Sequence, residues 1–142
     1  MLAVPFQAPD VEAQYRSFPA PLRGPLLELR RRIFDVATAT PAIGAIVETL
    51  KWNAPAYHPV RPRIGTTIRL GPLRNEAEAY ALFVHCQTSL AGTFRQLYPD
   101  ILRVDGERAV VFRLGEPVPA EAFDHCIALA LTYHLKGDIS AG

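Results

Sequence analysis

The feature that most restricts the fold is a run of strand-forming segments with helical patterns on either side of it. Residues 47–52, 65–71 and 80–86 contain β-branched or apolar residues, and glycine and proline bound the second segment. No helical pattern separates these segments in the regular alternation that is typical of parallel α/β folds. We therefore predict an α+β fold with an antiparallel sheet.

A hairpin completes the predicted sheet. Val104-Asp105-Gly106-Glu107 places Asp-Gly between two apolar segments, which favours a type I′ turn. The return strand is predicted over Arg108–Leu114, with alternate apolar side chains on one face. With the three earlier segments, the sheet has about five strands.

Four helices are predicted around these strands. A short helix over 10–17 begins with Asp10 as its cap, and a longer helix follows it. A third helix begins after Thr88, and the last begins at Pro119 and ends near Gly137. Apolar residues repeat at helical spacing in the three longer helices: Leu22, Leu26, Leu29, Ile33; Leu90, Phe94, Leu97; Phe123, Ile127, Ala130, Leu131.

Length and composition indicate a single domain over residues 1–142, with an N-terminal arm at 1–18 and a flexible tail at 138–142. The net charge of +1 does not favour nucleic acid or an acidic partner, and Arg30-Arg31-Arg32 is read as a solvated flank. No apolar run long enough for a membrane span and no export signal are seen, so we expect a cytoplasmic protein with reduced thiols.

The segment Leu50–Pro59 is the first candidate for a functional site. It holds the only tryptophan, Trp52, together with Tyr57 and two prolines, and each aromatic residue has a large apolar body with one polar group. The prolines restrict the backbone and remove hydrogen-bond donors. The segment is therefore interpreted as a stiff connection that forms either a pocket wall or a plug in the core.

Three polar residues extend this candidate site. The strand that ends at His85 leads into the helix capped near Thr88, and a helix start offers free N–H groups to an anion. Arg69 on a neighbouring strand adds a cation. Together with the aromatic wall, these residues favour a small anionic or planar ligand. The alternative is that Arg69 pairs with a surface carboxylate.

The sequence predicts no catalytic residue, metal or cofactor, and leaves enzymatic activity open while favouring a protein without it. The pairs His85-Cys86 and His125-Cys126 contain metal-binding residue types. However, adjacent side chains diverge on a strand or a helix, so the two pairs do not form a closed site. No nucleophile elbow and no glycine-rich phosphate loop occur in the sequence.

Six strings in this order resemble the bacterial domain-of-unknown-function family eighteen-oh-one over about residues 22–136: LKWNAPAYHP, GTTIRLG, YALFVHCQTSL, FRQLYPD, RVDGERAVVFRL and HCIALALTYHLK. Trp52, Pro55 and Tyr57 match the shared motif. The resemblance implies a two-layer sandwich of the YdhG-like type, with an antiparallel sheet packed against helices. Some members are described as frataxin-like iron chaperones, although the first long helix here has only Glu28 and Asp35 as acidic residues.

Three functions remain open from the sequence. The first is a small binding module without enzymatic activity, for an anionic or planar ligand, centred on Trp52, Tyr57, Arg69, His85 and Thr88. The second is an iron or transition-metal carrier of the frataxin-like type. The third is a protein–protein adaptor or a homodimer that uses an exposed sheet edge or apolar patch.

Overall fold

The computed structural model describes residues 4–135, which form one antiparallel sheet and a layer of helices. In chain order the elements are α1 (Pro9–Ser17), α2 (Ala20–Ala39), β1 (Ile46–Lys51), β2 (Ala54–Pro59), β3 (Ile68–Pro72), β4 (Ala79–Phe83), α3 (Leu90–Leu97), β5 (Arg103–Asp105), β6 (Ala109–Arg113), α4 (Ala120–Leu131) and a short 3-10 helix (Tyr133–Leu135). The predicted α+β fold with an antiparallel sheet is confirmed.

The sheet has six strands in the order β1-β2-β3-β4-β6-β5, one more than predicted. The additional strand is β2, which pairs with β1 from Ile46 opposite Pro59 to Lys51 opposite Ala54. The prediction of a stiff connection after Trp52 is therefore wrong. The segment is instead the second half of a β-hairpin.

The two prolines of β2 are tolerated because of the side of the strand they occupy. Val60 donates to the carbonyl of Ala45 at 2.9 Å, so the alternate residues of β2 direct their N–H groups to β1. Pro55 and Pro59 belong to the other set, which faces β3. Pairing between β2 and β3 covers only Ala56 and Tyr57 of β2. Pro55 and Pro59 lie just outside this paired stretch, so their lack of a backbone N–H costs the sheet no hydrogen bond.

The helices pack on one face of the sheet and bury the predicted stripes. The stripe of α2 from Leu22 to Ile33 and the stripe of α4 from Phe123 to Leu131 are in the core. Leu97 of α3 is the exception, since 47% of it is exposed. The layered arrangement follows from amphipathic helices covering one face of an antiparallel sheet.

The helix predicted in the N-terminal arm packs onto the core. The predicted helix is present as α1, and its residues Val11 and Tyr15 are buried against the sheet and α2. Its N-cap is Ala8, not Asp10, because Pro9 occupies the first helical position. The predicted helix end at Gly137 and the tail at 138–142 lie outside the described residues.

Two further local predictions differ from the structure. Ser89, rather than Thr88, is the N-cap of α3 and makes no capping bond through its side chain, while the hydroxyl of Thr88 accepts a bond of 3.4 Å from the N–H of Leu90. The β5–β6 loop has three residues rather than the predicted Asp-Gly pair, because Asp105 belongs to β5 and pairs with Ala109. Gly106 takes a left-handed conformation in that loop with φ of 60°, which a residue without a side chain adopts at low cost.

Candidate functional site

The structure does not bring the five predicted site residues into one pocket. Ala56 pairs with Arg69, and Arg69 pairs with Phe83 on the next strand. The strands β2 and β4 run in the same direction on either side of β3. Trp52 lies before Ala56 in the chain and His85 lies after Phe83, so the two residues are displaced in opposite directions from the row that contains Arg69. The indole and the imidazole therefore lie towards opposite ends of the sheet.

Tyr57 is buried in the core beneath the helices. Its hydroxyl donates to Oε2 of Glu48 at 2.8 Å and lies 2.6 Å from the hydroxyl of Tyr15. Arg30 completes the network by donating to both oxygens of Glu48, at 2.6 and 3.0 Å. Burial, with the neighbouring Tyr15 and Glu48 acting in the same direction, raises the pKa of Tyr57 above its ordinary range. The core-plug interpretation is the correct one for this side chain.

Trp52 is in the turn between β1 and β2, and 89% of it is exposed. Trp52 and Asn53 have φ angles of 55° and 60°, as required for a two-residue turn of type I′. The usual residues in such a turn are Asn and Gly, because a bulky side chain is strained at positive φ. The chain thus presents a large aromatic side chain to solvent in a strained conformation, a combination that occurs at functional positions.

His85 and Thr88 are brought together in a local turn. The hydroxyl of Thr88 donates to the carbonyl of His85 at 2.7 Å, and the backbone N–H of Gln87 donates to Nδ1 of His85 at 3.1 Å. At the adjoining start of α3, the N–H of Ser89 donates to the hydroxyl of Tyr133 at 3.1 Å. One of the donors that the sequence offers to an anion is therefore used within the protein.

The face of the sheet opposite the helices has an unusual composition. Register and side-chain alternation place a series of small residues on it: Thr49, Ala54, Ala56, Gly71, Ala79, Ala81 and Ala109. Four residues there form a separate buried cluster, with Leu73 and Phe83 packed against it: Ala79, Ala81, Ala109 and Val111. No residue of the four described helices belongs to this cluster, so the face is not covered by the helical layer. We call this surface the open face.

Arg69 lies on the open face, on the third of the six strands. Its guanidinium carbon is 5.8 Å from the centre of the Phe83 ring, within the range of a cation–π contact. Burial lowers the pKa of Arg69, and the positive charge of Arg108 lowers it further. Both effects disfavour the charged form of Arg69, and no neighbouring negative charge among the described residues offsets them.

No carboxylate within residues 4–135 forms an ion pair with Arg69. On the same face, Asp105 lies three strands away from Arg69 and is bound by Arg103. Among residues 4–135, the alternative prediction of a surface carboxylate partner for Arg69 is therefore not met. A partly buried cation without a counter-ion beside an aromatic ring is a suitable position for an anionic group.

The residue types that suggested a metal are dispersed. Cys126 is buried, and burial raises the pKa of its thiol to about 12, whereas Cys86 is exposed. His125 pairs through Nδ1 with the hydroxyl of Tyr98 at 2.6 Å. In the part of the chain that the structure describes, no three His, Cys, Asp or Glu side chains group as metal ligands would.

The acidic residues of α2 are also engaged by a cation. Glu28 and Asp35 both bind Arg31 on the same helix face. The bond from Arg31 lowers the pKa of Glu28. These carboxylates therefore do not form the free acidic ridge that delivery of a hard metal ion requires.

The polar network around Glu48 was not anticipated, and Arg30 in particular was interpreted as solvated. That interpretation is wrong, since only 4% of Arg30 is exposed. A signal was present in the spacing: Arg30 follows Leu26 by four residues and therefore lies on the buried stripe of α2. Glu48 likewise shares one face of β1 with Ile46 and Leu50, and that face points to the core.

Comparisons with known proteins do not test the resemblance to the bacterial family. No protein-family model, curated protein or solved structure matches this chain significantly. The YdhG-like label stays a prediction that rests on the six sequence strings. Over residues 4–135, none of the helices combines the length and the apolar character needed to cross a bilayer.

Proposed function

We propose that this chain is a binding module that holds a small ligand on the open face of its sheet, and that the ligand combines a flat ring with an acidic group. The observation on which this proposal depends is the partly buried Arg69 without a carboxylate partner among the described residues. An anion bound there gains a charge-assisted hydrogen bond and relieves an uncompensated charge.

The flat part of the ligand is supported by the small side chains around Arg69. Ala56 is the direct cross-strand neighbour of Arg69, and Gly71 follows it on the same face. A Cβ added to Gly71 would lie 3.7 Å from the ring of Phe83, so the glycine leaves that side of the ring without a side chain against it. Ala56 and Gly71 are themselves buried, whereas Phe83 is partly exposed, so the planar group would stack on the ring of Phe83 with its acid towards Arg69.

The positive charge is reinforced on one side of this position. Arg108 lies close enough to affect the pKa of Arg69, and it precedes Ala109, which pairs with Phe83. Two guanidinium groups whose charges affect each other suit a carboxylate or a phosphate better than a neutral polar group. No catalytic step is assigned to this arrangement, whose side chains serve binding and orientation.

The test is a comparison of three probes on the full-length protein: benzoate, benzamide and cyclohexanecarboxylate. We expect benzoate to bind most tightly, because it alone combines the charge with the flat ring. Calorimetry gives the affinity, and the Nε–H resonance of Arg69 in an NMR titration gives the position. Equal binding of all three probes, or a shift that leaves the Arg69 resonance unchanged, would contradict the proposal.

A charge-matched pair of variants locates the site. Arg69→Gln removes the proposed anion contact, and we expect the benzoate affinity to fall about tenfold to a hundredfold, as for one lost charge-assisted hydrogen bond. Arg113→Gln removes the same charge from the same face. Arg113 pairs with Ala79, four residues along β4 from Phe83, or about 13 Å away. Its substitution should leave the affinity within about twofold.

A second candidate function is protein association through the β1–β2 turn. It is supported by the 89% exposure and the strained backbone of Trp52, since exposed tryptophan is typical of residues that dominate protein interfaces. For a homodimer, we expect the fluorescence of Trp52 to shift to the blue and resist acrylamide quenching as the protein concentration rises. An emission that is independent of concentration excludes self-association through this turn.

A further inference from the structure

The segment Val4–Gln7, which we call the N-terminal strap, passes Arg30 of α2 and reaches the outer edge of β1 at Gln7. Because β1 is the first strand of the sheet, one side of it has no neighbouring strand. The side-chain amide of Gln7 occupies this edge: Nε2 donates to the carbonyl of Ile46 at 2.8 Å, and Oε1 accepts from the N–H of Glu48 at 2.8 Å. One amide thus makes the same pair of bonds that a neighbouring strand would make.

Arg30 binds the strap from the helical side. Its Nη1 donates to the carbonyl of Val4 at 2.7 Å, and Nη2 donates to the carbonyl of Pro5 at 3.0 Å. The ring of Phe6 lies over the guanidinium, with its centre 4.2 Å from the Arg30 carbon. Three successive residues of the strap therefore contact one buried side chain.

Glu48 connects the strap to the core. Its Oε1 accepts from the backbone N–H of Gln7 at 3.0 Å and from Arg30 at 3.0 Å. Its Oε2 accepts from Arg30 and from Tyr57. Four donors thus converge on one carboxylate whose side chain has no exposed area, and one of the four comes from the strap.

The groups that recognise the strap bind mainly its backbone. They contact two carbonyls, one N–H, a glutamine amide and an aromatic ring. The strap's main chain bonds to the side chains of Arg30 and Glu48, and its Gln7 side chain bonds to the backbone of β1, so main-chain bonds supply affinity and a side chain supplies specificity, as in other modes of peptide recognition. The arrangement has the form of a peptide-binding site that is occupied by a segment of its own chain.

A natural hinge separates the strap from the rest of the molecule. Ala8 has an extended backbone, with φ of −149° and ψ of 145°, and it precedes Pro9 at the start of α1. A residue before proline disfavours the helical conformation, so α1 does not continue into the strap. Rotation at Ala8 would release the strap without unwinding α1, at the cost of the contact between the rings of Phe6 and Tyr15, whose centres lie 5.7 Å apart.

We propose that this edge of β1 is a docking site for the N-terminal strap of a second copy of the chain, so that two molecules exchange straps across their β1 edges. An identical segment remakes every contact described above, so exchange requires no new recognition chemistry. The attached strap has an effective concentration of roughly millimolar, as expected for a short tether. The exchanged dimer therefore forms at comparably high protein concentration and reverses on dilution.

The first test uses a fluorescein-labelled peptide, Val-Pro-Phe-Gln-Ala, and the full-length protein. In the variant Gln7→Ala the protein's own strap loses its amide bonds but the docking site is intact. We expect this variant to bind the peptide at least about tenfold more tightly than the unmodified protein, because competition from its own strap is weaker. A peptide with alanine in place of glutamine is the matched control and should lose this binding.

Equal peptide affinity of the two proteins, or no binding to a Gln7→Ala protein that retains its native circular dichroism, would overturn the proposal. If Gln7→Ala fails to fold, excess unlabelled peptide is added to the isotope-labelled unmodified protein, and the side-chain amide resonance of the protein's own Gln7 is followed by NMR, because the displaced strap loses its bonds to β1. Movement of that resonance with the glutamine peptide alone supports the proposal. No movement at millimolar peptide contradicts it.

The second test measures whether two copies of the chain form a dimer by exchanging straps. Analytical ultracentrifugation of the full-length protein from about 20 µM to 1 mM should show a reversible dimer in the upper part of that range. An added unlabelled peptide should dissociate the dimer, which a dimer formed through Trp52 would resist. A protein that binds the peptide but stays monomeric at 1 mM would contradict strap exchange. Neither result depends on a ligand at Arg69.

Discussion

Arg30 and Arg69 are both removed in part from solvent, on opposite faces of the same sheet, but their surroundings differ. Arg30 lies on the helical side, where Glu48 and two backbone carbonyls accept its hydrogen bonds. Arg69 lies on the open face, where within residues 4–135 it has only an aromatic ring beside it and another arginine nearby. One arginine completes the fold, and the other is available to a ligand.

The pKa directions express the same difference. Burial alone lowers the pKa of Arg30, but the bonds and charge of Glu48 outweigh it and the net change is upward. For Arg69, burial and Arg108 both act downward. A buried charge is stable only when its partners replace the lost water. The helical face meets that condition from within the chain, whereas the open face does not.

The largest effect should come from breaking the compensated site. Arg30→Met leaves the carboxylate of Glu48 buried without its cation, and we expect the free energy of unfolding to fall by about 3–5 kcal/mol. Urea unfolding monitored by circular dichroism measures it. A loss below about 1 kcal/mol would show that the pair of Arg30 and Glu48 contributes little to stability, and that Arg30 is no more important to the fold than Arg69.

A second effect distinguishes the buried interior from the exposed surface through the two cysteines. The thiol of Cys126 has its pKa raised by burial to about 12, against an ordinary value of about 8.5. Below about pH 8.5 both folded and unfolded chains keep this proton. Between that pH and about 12 the unfolded chain loses it first, so stability falls as pH rises, by up to about 1.4 kcal/mol per unit.

This pH dependence is measured by urea unfolding at pH 8 and pH 10. The variant Cys126→Ala should lose less stability than the unmodified protein between these values, by about 2 kcal/mol. Cys86→Ala is the matched control, because Cys86 is exposed and its substitution should not alter the pH dependence. Identical pH profiles of all three proteins would contradict the prediction.

A smaller effect of opposite sign is expected at the β1–β2 turn. Trp52→Asn combined with Asn53→Gly introduces the residue pair that a type I′ turn prefers. We expect stability to rise by about 1 kcal/mol, since a left-handed conformation costs a non-glycine residue about 1–2 kcal/mol. Thermal unfolding reports the change. A decrease would mean that the exposed indole is held by contacts that offset its strain.

The smallest effect on stability is expected at the uncompensated site. Arg69→Gln removes no ion pair within the described residues, so we expect the free energy of unfolding to change by less than about 0.5 kcal/mol. The same variant should lose binding of the benzoate probe. A large loss of stability would assign Arg69 to the fold and would end the distinction from Arg30.

The comparison also explains which parts of the molecule could be predicted. The apolar stripe of α2 and the alternation of β6 predicted the correct faces, because burial of apolar residues follows the periods of 3.6 and 2 directly. Arg30 and Glu48 followed the same periods, yet their type suggested solvent. A charged residue on a buried stripe requires a partner, and the partner lies 18 positions away in the chain.

The sequence by itself determined the α+β class, the antiparallel sheet and the helical faces, since each depends on local periodicity and on the order of elements. Only the tertiary structure decided that Pro55 and Pro59 fit a strand, that Tyr57 lies in the core, and that Arg69 has no carboxylate beside it among residues 4–135. These outcomes depend on which strands become neighbours and in which register. Register is set by the packing of distant segments, and a shift of one residue would exchange the two faces of a strand.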